Sequence, residues 1–134
     1  MRKKNSPKVD GIKKSVLVIG GGPGGMYAAI TARKRGYEVD LYEKEERLGG
    51  TLWAAGMPTF KHDVLKLITY LERQCLKTGV NVYLNTEFTL KDAKKDYDKV
   101  ILSAGSSPMM PPIPGIEKAG FVSEFLTDRK EAGK

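Results

Sequence analysis

The sequence predicts an α/β fold built on a doubly wound parallel sheet. Two observations lead to this prediction. Apolar segments of strand length alternate with helical segments along most of the 134 residues. The first apolar segment, at 16–19, also runs directly into a glycine-rich turn that opens a helix. We expect one domain over residues 15–129, preceded by a basic linker at 1–14 and followed by a polar tail at 130–134.

The glycine turn, residues 20–25, contains positions with separate structural roles. Gly20 lets the chain leave the first strand sharply, and Gly22 lets the backbone approach a pyrophosphate closely. Gly25 lets the following helix pack tightly on the strand. Pro23 has no N–H group and suits the first helical turn, and the helix begins at Gly24 and continues to residue 35. Its free N–H groups and its positive dipole end would face the phosphates.

A second strand, at 38–42, ends in an acidic residue, after Gly36 has closed the helix as a C-cap. Glu43 follows Gly20 by 23 residues. A carboxylate there accepts hydrogen bonds from both ribose hydroxyls and repels a 2′-phosphate, although Lys44 and Arg47 lie close by and weaken that repulsion. This order of strand, glycine turn, helix, strand and acid indicates a Rossmann-like site for the ADP half of FAD or NAD.

A second pair of glycines, Gly49 and Gly50, comes shortly after this strand. Their backbone can approach the ribose and the pyrophosphate from the other side. The apolar residues that come next are expected to pack under this loop, with the lining of a flavin as the alternative; they are Trp53, Met57 and Phe60.

The remaining segments continue the alternation of helix and strand. An amphipathic helix is predicted over 60–78, with Cys75 on its apolar stripe and His62 on the surface. The other expected elements are strands at 80–84, 99–103 and 121–123 and helical turns at 90–95 and 124–129. The first strand should lie centrally, with a ligand at the carboxyl ends of the strands.

Charge and composition limit the partners and the cellular location that fit this chain. The formal net charge is +7, and the linker alone contains six basic residues and one acidic residue, Asp10. We therefore interpret the linker as a solvated segment. We expect neither nucleic acid nor a membrane as a partner. No apolar run has the length of a membrane span or the form of a signal peptide. Cys75 is the single cysteine, which excludes an internal disulfide and fits a cytoplasmic location.

No catalytic constellation is evident in the sequence. We find no Ser/His/Asp set, no metal-ligand spacing and no redox cysteine pair, and therefore predict no catalytic and no metal-binding residue. Whether the chain is itself an enzyme stays open.

Three segments together resemble one family. They are 19–26 at the glycine turn, 41–44 with 47–50 after the second strand, and 100–108 with 113–115 after the fourth. The chain resembles the FAD-binding domain of two-dinucleotide-domain flavoprotein reductases, and within them the NADH:flavin oxidoreductases of the 2,4-dienoyl-CoA reductase type, which carry an old-yellow-enzyme barrel. The small subunit of glutamate synthase is also similar. The resemblance covers about residues 15–128.

The resemblance implies roles for the matching residues. Gly20, Gly22 and Gly25 would surround the pyrophosphate of FAD, and Glu43 would bind the adenosine ribose. Arg47, Gly49 and Gly50 would lie near the ribitol and pyrophosphate. Ala104 and Gly105 would mark the second signature of the family, where Ser103-Ala104-Gly105 replaces the usual Ala-Thr-Gly.

The resemblance also implies an incomplete FAD-binding domain. Such enzymes insert an NAD(P)H domain and return with a final strand, and their parent chains add FMN and an iron–sulfur cluster. We expect a fragment of a parent flavoenzyme, inactive alone, whose uncovered sheet favours self-association, while a natural single-domain protein is the alternative. Two other functions stay open: an NAD(H)-binding module, and a non-catalytic interaction domain that keeps the fold.

Overall fold

A computed structural model describes residues 14–89, 91 and 96–128. Its centre is a parallel sheet of four strands: β1 (Ser15–Ile19), β2 (Glu38–Tyr42), β3 (Asn81–Tyr83) and β4 (Lys99–Leu102). The strand order is β3-β2-β1-β4, so β1 lies inside the sheet, as predicted. The order reverses between β1 and β4, which is where ligands bind in open α/β sheets. The predicted α/β fold class is confirmed.

Four α-helices accompany the sheet in the described residues. They are α1 (Pro23–Lys34), α2 (Leu52–Gly56), α3 (His62–Thr78) and α4 (Val122–Asp128). Helix α1 connects β1 to β2, and α3 precedes β3, as parallel crossovers require.

The hydrophobic core lies between the sheet and the helices α1 and α3. Side chains alternate along a strand, so Val16 and Val18 of β1 share this face. Helix α1 contributes Met26 and Ile30 to the same cluster. Helix α3 adds Cys75, which is fully buried as predicted. This packing fixes the direction in which α1 leaves the glycine turn.

Polar contacts cover part of the other sheet face. Asp40 of β2 accepts hydrogen bonds from the Asn81 amide and the Tyr97 hydroxyl, both at 2.8 Å. Burial of the phenol, with the Asp40 hydrogen bond second, raises the pKa of Tyr97. Next to them the Tyr42 and Tyr83 rings stack at 4.6 Å between centroids. Asp40 is not among the residues predicted from the sequence, because a single polar residue in an apolar strand forms no pattern.

Several predicted boundaries shift by a few residues. The predicted helix at 60–78 consists of a 3₁₀ turn, Thr59–Lys61, followed by α3. Gly36, at a φ of 92°, lies one position beyond the observed C-cap Arg35. The prediction of a strand at 121–123 is wrong, because helix α4 begins at Val122. The predicted helical turn at 90–95 falls outside the described residues, apart from Lys91.

Candidate functional site

The glycine turn is held tightly at both of its ends. Gly20 adopts a φ of 103°, which favours glycine, and its N–H donates to the Tyr42 carbonyl at 2.8 Å. A Cβ on Gly25 would collide with the Gly20 carbonyl oxygen, so α1 approaches the turn as closely as glycine permits. These geometries agree with the sharp turn and the close helix packing predicted from the sequence.

Gly22, in contrast, faces open space. A Cβ added to this residue would meet nothing within 4 Å, and the same is true of Gly24. Gly22 is the N-cap of α1, Pro23 is at the first helical position, and no acidic residue occupies the first turn. The N-terminus of the 12-residue helix α1 therefore keeps its positive dipole end beside an open backbone surface. Negatively charged groups are favoured at a helix N-terminus of this kind.

Glu43 lies beside this turn and is 8% exposed. Its Oε2 accepts the N–H of Gly21 at 2.6 Å, and its Oε1 accepts the N–H of Glu45 at 2.9 Å. A carboxylate has about four acceptor positions, so these two hydrogen bonds leave part of its accepting capacity unused. The carboxylate is thus oriented before any ligand binds.

The second glycine loop, residues 47–50, reaches the glycine turn. The N–H of Gly49 donates to the Gly21 carbonyl at 2.9 Å. A Cβ on Gly50 would lie 3.3 Å from the Gly22 Cα, so the two backbones are adjacent. Gly21 thereby connects Glu43 to this loop through its N–H and its carbonyl. Gly21 is not among the predicted site residues, and the run of consecutive glycines is the only signal for it in the sequence.

The cationic candidates are exposed. Lys44 lies 4.0 Å from the Glu45 carboxylate, and the Arg47 guanidinium lies 4.0 Å from the centroid of the Trp53 ring. Trp53 packs against the loop as predicted, whereas the prediction that Phe60 packs there is wrong, since Phe60 is 83% exposed. Phe60 occupies the 3₁₀ turn before α3, and this turn buries none of its residues.

Ala104 and Gly105 follow β4 at the carboxyl edge of the sheet. Both are exposed, and Gly105 has a φ of 76°. Ser103, which precedes them, was missed as a site residue. Its Oγ lies 3.0 Å from the carbonyl oxygens of Ile19 and Gly20, and its N–H donates to the Ile19 carbonyl at 2.8 Å. Ser103 therefore connects the segment that contains Ala104 and Gly105 to the glycine turn through hydrogen bonds.

The remaining groups with possible chemistry are a histidine and a cysteine, both on α3. His62 is exposed at the start of α3. Burial raises the pKa of the Cys75 thiol to about 11, which keeps it protonated at neutral pH. Within the described ranges, His, Cys, Asp and Glu side chains form no group of three suited to a metal ion. Among the same residues, no helix combines the length and the apolar character that a bilayer span needs.

A parallel sheet with an open glycine turn at β1 and a carboxylate at the end of β2 defines a dinucleotide-binding domain. The family model described as pyridine nucleotide-disulphide oxidoreductase matches residues 14–133. The chain therefore belongs to the pyridine nucleotide-disulphide oxidoreductase family.

Similar proteins include an oxidase and a reductase. NADH oxidase of Thermoanaerobacter brockii is 44% identical over 110 residues, which are 80% of this chain and 17% of that protein. Cinnamate reductase of Clostridium sporogenes is 38% identical over 128 residues, which are 95% of this chain and 19% of that protein. The chain spans less than a fifth of the length of these curated relatives.

Solved structures agree with this assignment. The complex of 2-naphthoyl-CoA reductase with 2-naphthoyl-CoA superposes with a TM-score of 0.84 at 32% identity, covering 92% of this chain and 19% of that one. Histamine dehydrogenase from Rhizobium sp. 4-9 has a TM-score of 0.66 at 28% identity, covering 74% of this chain and 15% of that one. The predicted resemblance to flavoproteins of the 2,4-dienoyl-CoA reductase type is confirmed, and the family supports FAD as a cofactor.

Proposed function

We propose that this chain holds the ADP half of FAD for an NAD(P)H-dependent flavin oxidoreductase. The observation that carries the proposal is the 2.6 Å hydrogen bond from the Gly21 N–H to Glu43. It places an ordered carboxylate next to the open backbone of Gly22, so one ligand can reach both with its ribose and its pyrophosphate.

Each part of the site has a proposed role. Glu43 accepts the ribose hydroxyls, and the N–H groups at the start of α1 bind the pyrophosphate. The second glycine loop covers the pyrophosphate from the opposite side, with Lys44 and Arg47 as neighbouring cations. The backbone positions that complete the site are Gly20, Gly22, Pro23, Gly24, Gly25, Gly49, Gly50, Ala104 and Gly105. When FAD is bound, the flavin supplies the hydride chemistry, while these residues bind and orient its adenosine end.

An NAD(H)-binding module remains the second candidate. The specific observation in its favour is the same Glu43 carboxylate, which would accept the ribose hydroxyls of NADH equally well. The third candidate, an interaction domain without a ligand, predicts indifference to every adenine nucleotide.

Parallel calorimetric titrations with FAD, ADP and NADH separate these candidates. We expect similar affinities for FAD and ADP, with NADH no tighter. Tighter binding of NADH than of FAD and ADP would identify the chain as an NAD(H)-binding module. Absence of binding to all three nucleotides would contradict both nucleotide proposals.

Gly22→Val gives the sharpest variant for this test. Its Cβ meets nothing within 4 Å, so the free protein should keep its thermal stability, while the side chain fills the space of the pyrophosphate. We expect ADP affinity to fall by about a hundredfold, the loss that excluding a charged group from its site brings. Gly120→Ala, at a glycine with equally open surroundings, is the matched control and should bind normally.

We also propose that the chain is located in the cytoplasm and that its partners are further domains of a larger flavoenzyme. We expect no turnover by this chain alone. Steady-state oxidation of NADH in the presence of FAD tests the last point. For the isolated chain we propose self-association through the outer face of β4, where Val100 and Leu102 are 58% and 74% exposed.

A further inference from the structure

Trp53, the single tryptophan of the chain, lies under the second glycine loop at the start of α2. Its indole Nε1–H donates to the Leu48 carbonyl at 2.7 Å. The face of the same ring lies 4.0 Å from the Arg47 guanidinium carbon. One side chain therefore holds two successive residues of the loop, one through a hydrogen bond and one through a cation–π contact.

The indole also determines how the loop reaches the glycine turn. A Cβ on Gly49 would lie 2.7 Å from Trp53 Nε1, so the ring and the backbone are in direct contact. From that position the Gly49 N–H donates to the Gly21 carbonyl at 2.9 Å. The next residue, Gly50, then lies against Gly22, which is the open surface for the pyrophosphate.

We propose that Trp53 is a positioning residue for the diphosphate part of the nucleotide site. It holds Gly50 and Arg47 in the places from which they meet the diphosphate, without touching the ligand itself. This inference rests on the proposed function and names the residue that preorganises one half of that site. A loop that is already ordered has less conformational entropy to lose when the ligand binds.

Trp53→Phe tests the hydrogen bond, because phenylalanine keeps an aromatic face and lacks the N–H donor. The wild-type protein and the variant are titrated with ADP and with AMP, which lacks the second phosphate. We expect about fivefold weaker ADP binding, the loss typical of one hydrogen bond, and less than a twofold change for AMP. Trp53→Leu also removes the ring face below Arg47 and should weaken ADP by about tenfold.

Thr78→Val is the matched control. Thr78 Oγ1 donates to the Gln74 carbonyl, also at 2.7 Å, at the far end of α3 from the strands' carboxyl edge. This control should lower the melting temperature and leave ADP affinity unchanged. The split between ADP and AMP is the readout that a merely structural role would not produce.

The possible outcomes separate the two proposals. Wild-type binding of ADP together with unchanged binding by Trp53→Phe would overturn the role of Trp53 alone. Equal losses for ADP and AMP would also overturn it, because they indicate a general structural defect. Failure of the wild-type protein to bind ADP would overturn the proposed function, and this inference with it.

Discussion

The glycine turn and the exposed side of β4 differ in how completely they are packed. At the glycine turn, backbone hydrogen bonds link three separate segments, and Gly25 leaves no room for a Cβ. Beyond β4, large apolar side chains are exposed instead; they are Met109, Ile113 and Val122. Within the described ranges, β4 pairs with β1 alone. Backbone contacts therefore hold the glycine turn in one conformation, whereas β4 and the segment after it expose apolar side chains.

The largest effect on stability is expected at the closely packed glycine turn. Gly25→Val would drive its side chain into the Gly20 carbonyl and the Ser103 hydroxyl, both held by the fold. We expect the free energy of unfolding to fall by about 3 kcal/mol or more, as measured by thermal or denaturant unfolding.

Its control is the neighbouring Gly24→Ala. This residue belongs to the same helix but meets open space, so alanine should stabilise the protein by about 0.5–1 kcal/mol through its helix propensity. Equal stabilities of the two variants would show that the close approach of α1 to the turn is not what the structure indicates.

Glu43→Gln tests the charge of the preformed site. The amide keeps an acceptor for the Gly21 N–H but loses the negative charge that favours ribose hydroxyls and repels a 2′-phosphate. We expect about tenfold weaker binding of ADP and a smaller preference for ADP over adenosine 2′,5′-bisphosphate in parallel titrations.

Glu46→Gln removes a charge from an exposed position in the same segment and should leave both affinities unchanged. If the preference against the 2′-phosphate survived in Glu43→Gln, the discrimination would have to come from another part of the site.

The smallest effect on stability is expected at the exposed face of β4. Leu102→Lys places a charge on the exposed face of β4 and should change the free energy of unfolding by less than about 0.5 kcal/mol. Sedimentation velocity should nevertheless show less self-association than in the wild-type protein.

Leu76→Lys provides a matched comparison, because Leu76 on α3 is 73% exposed, nearly as much as Leu102. The Leu76→Lys variant should self-associate to the same extent as the wild-type protein. Similar sedimentation of both variants would contradict a specific role for β4.

The sequence was most informative where structure depends on neighbouring residues. The first strand, the glycine turn and α1 were predicted because one short segment contains the glycines, Pro23 and the apolar strand. Helix α2 was not predicted, since its five residues are too few to show a period. Phe121 and Val122 have strand propensity and therefore predict a strand at 121–123. In the structure Val122 begins helix α4, which packs against α2, so tertiary packing outweighs this propensity.

Contacts between distant segments could not be predicted. Ser103 is 84 residues from Ile19, and nothing in its local pattern indicates that its hydroxyl reaches the glycine turn. The roles of Gly21 and Trp53 likewise depend on where the second glycine loop lies. The predicted ligand residues Glu43, Gly22 and Gly50 do come together, and their roles as cofactor ligands stay predictions until titrated.

The hydrogen bonds of Glu43 limit how the cofactor preference of this domain could change. A replacement by a smaller residue, made to admit a 2′-phosphate, would also remove the acceptor for the Gly21 and Glu45 N–H groups. The Gly21 N–H is buried, and a buried donor left without a partner costs about 1–3 kcal/mol. With Glu43 in its proposed role, we expect a switch to 2′-phosphorylated nucleotides to need a compensating change in the glycine turn that supplies a new partner for the Gly21 N–H.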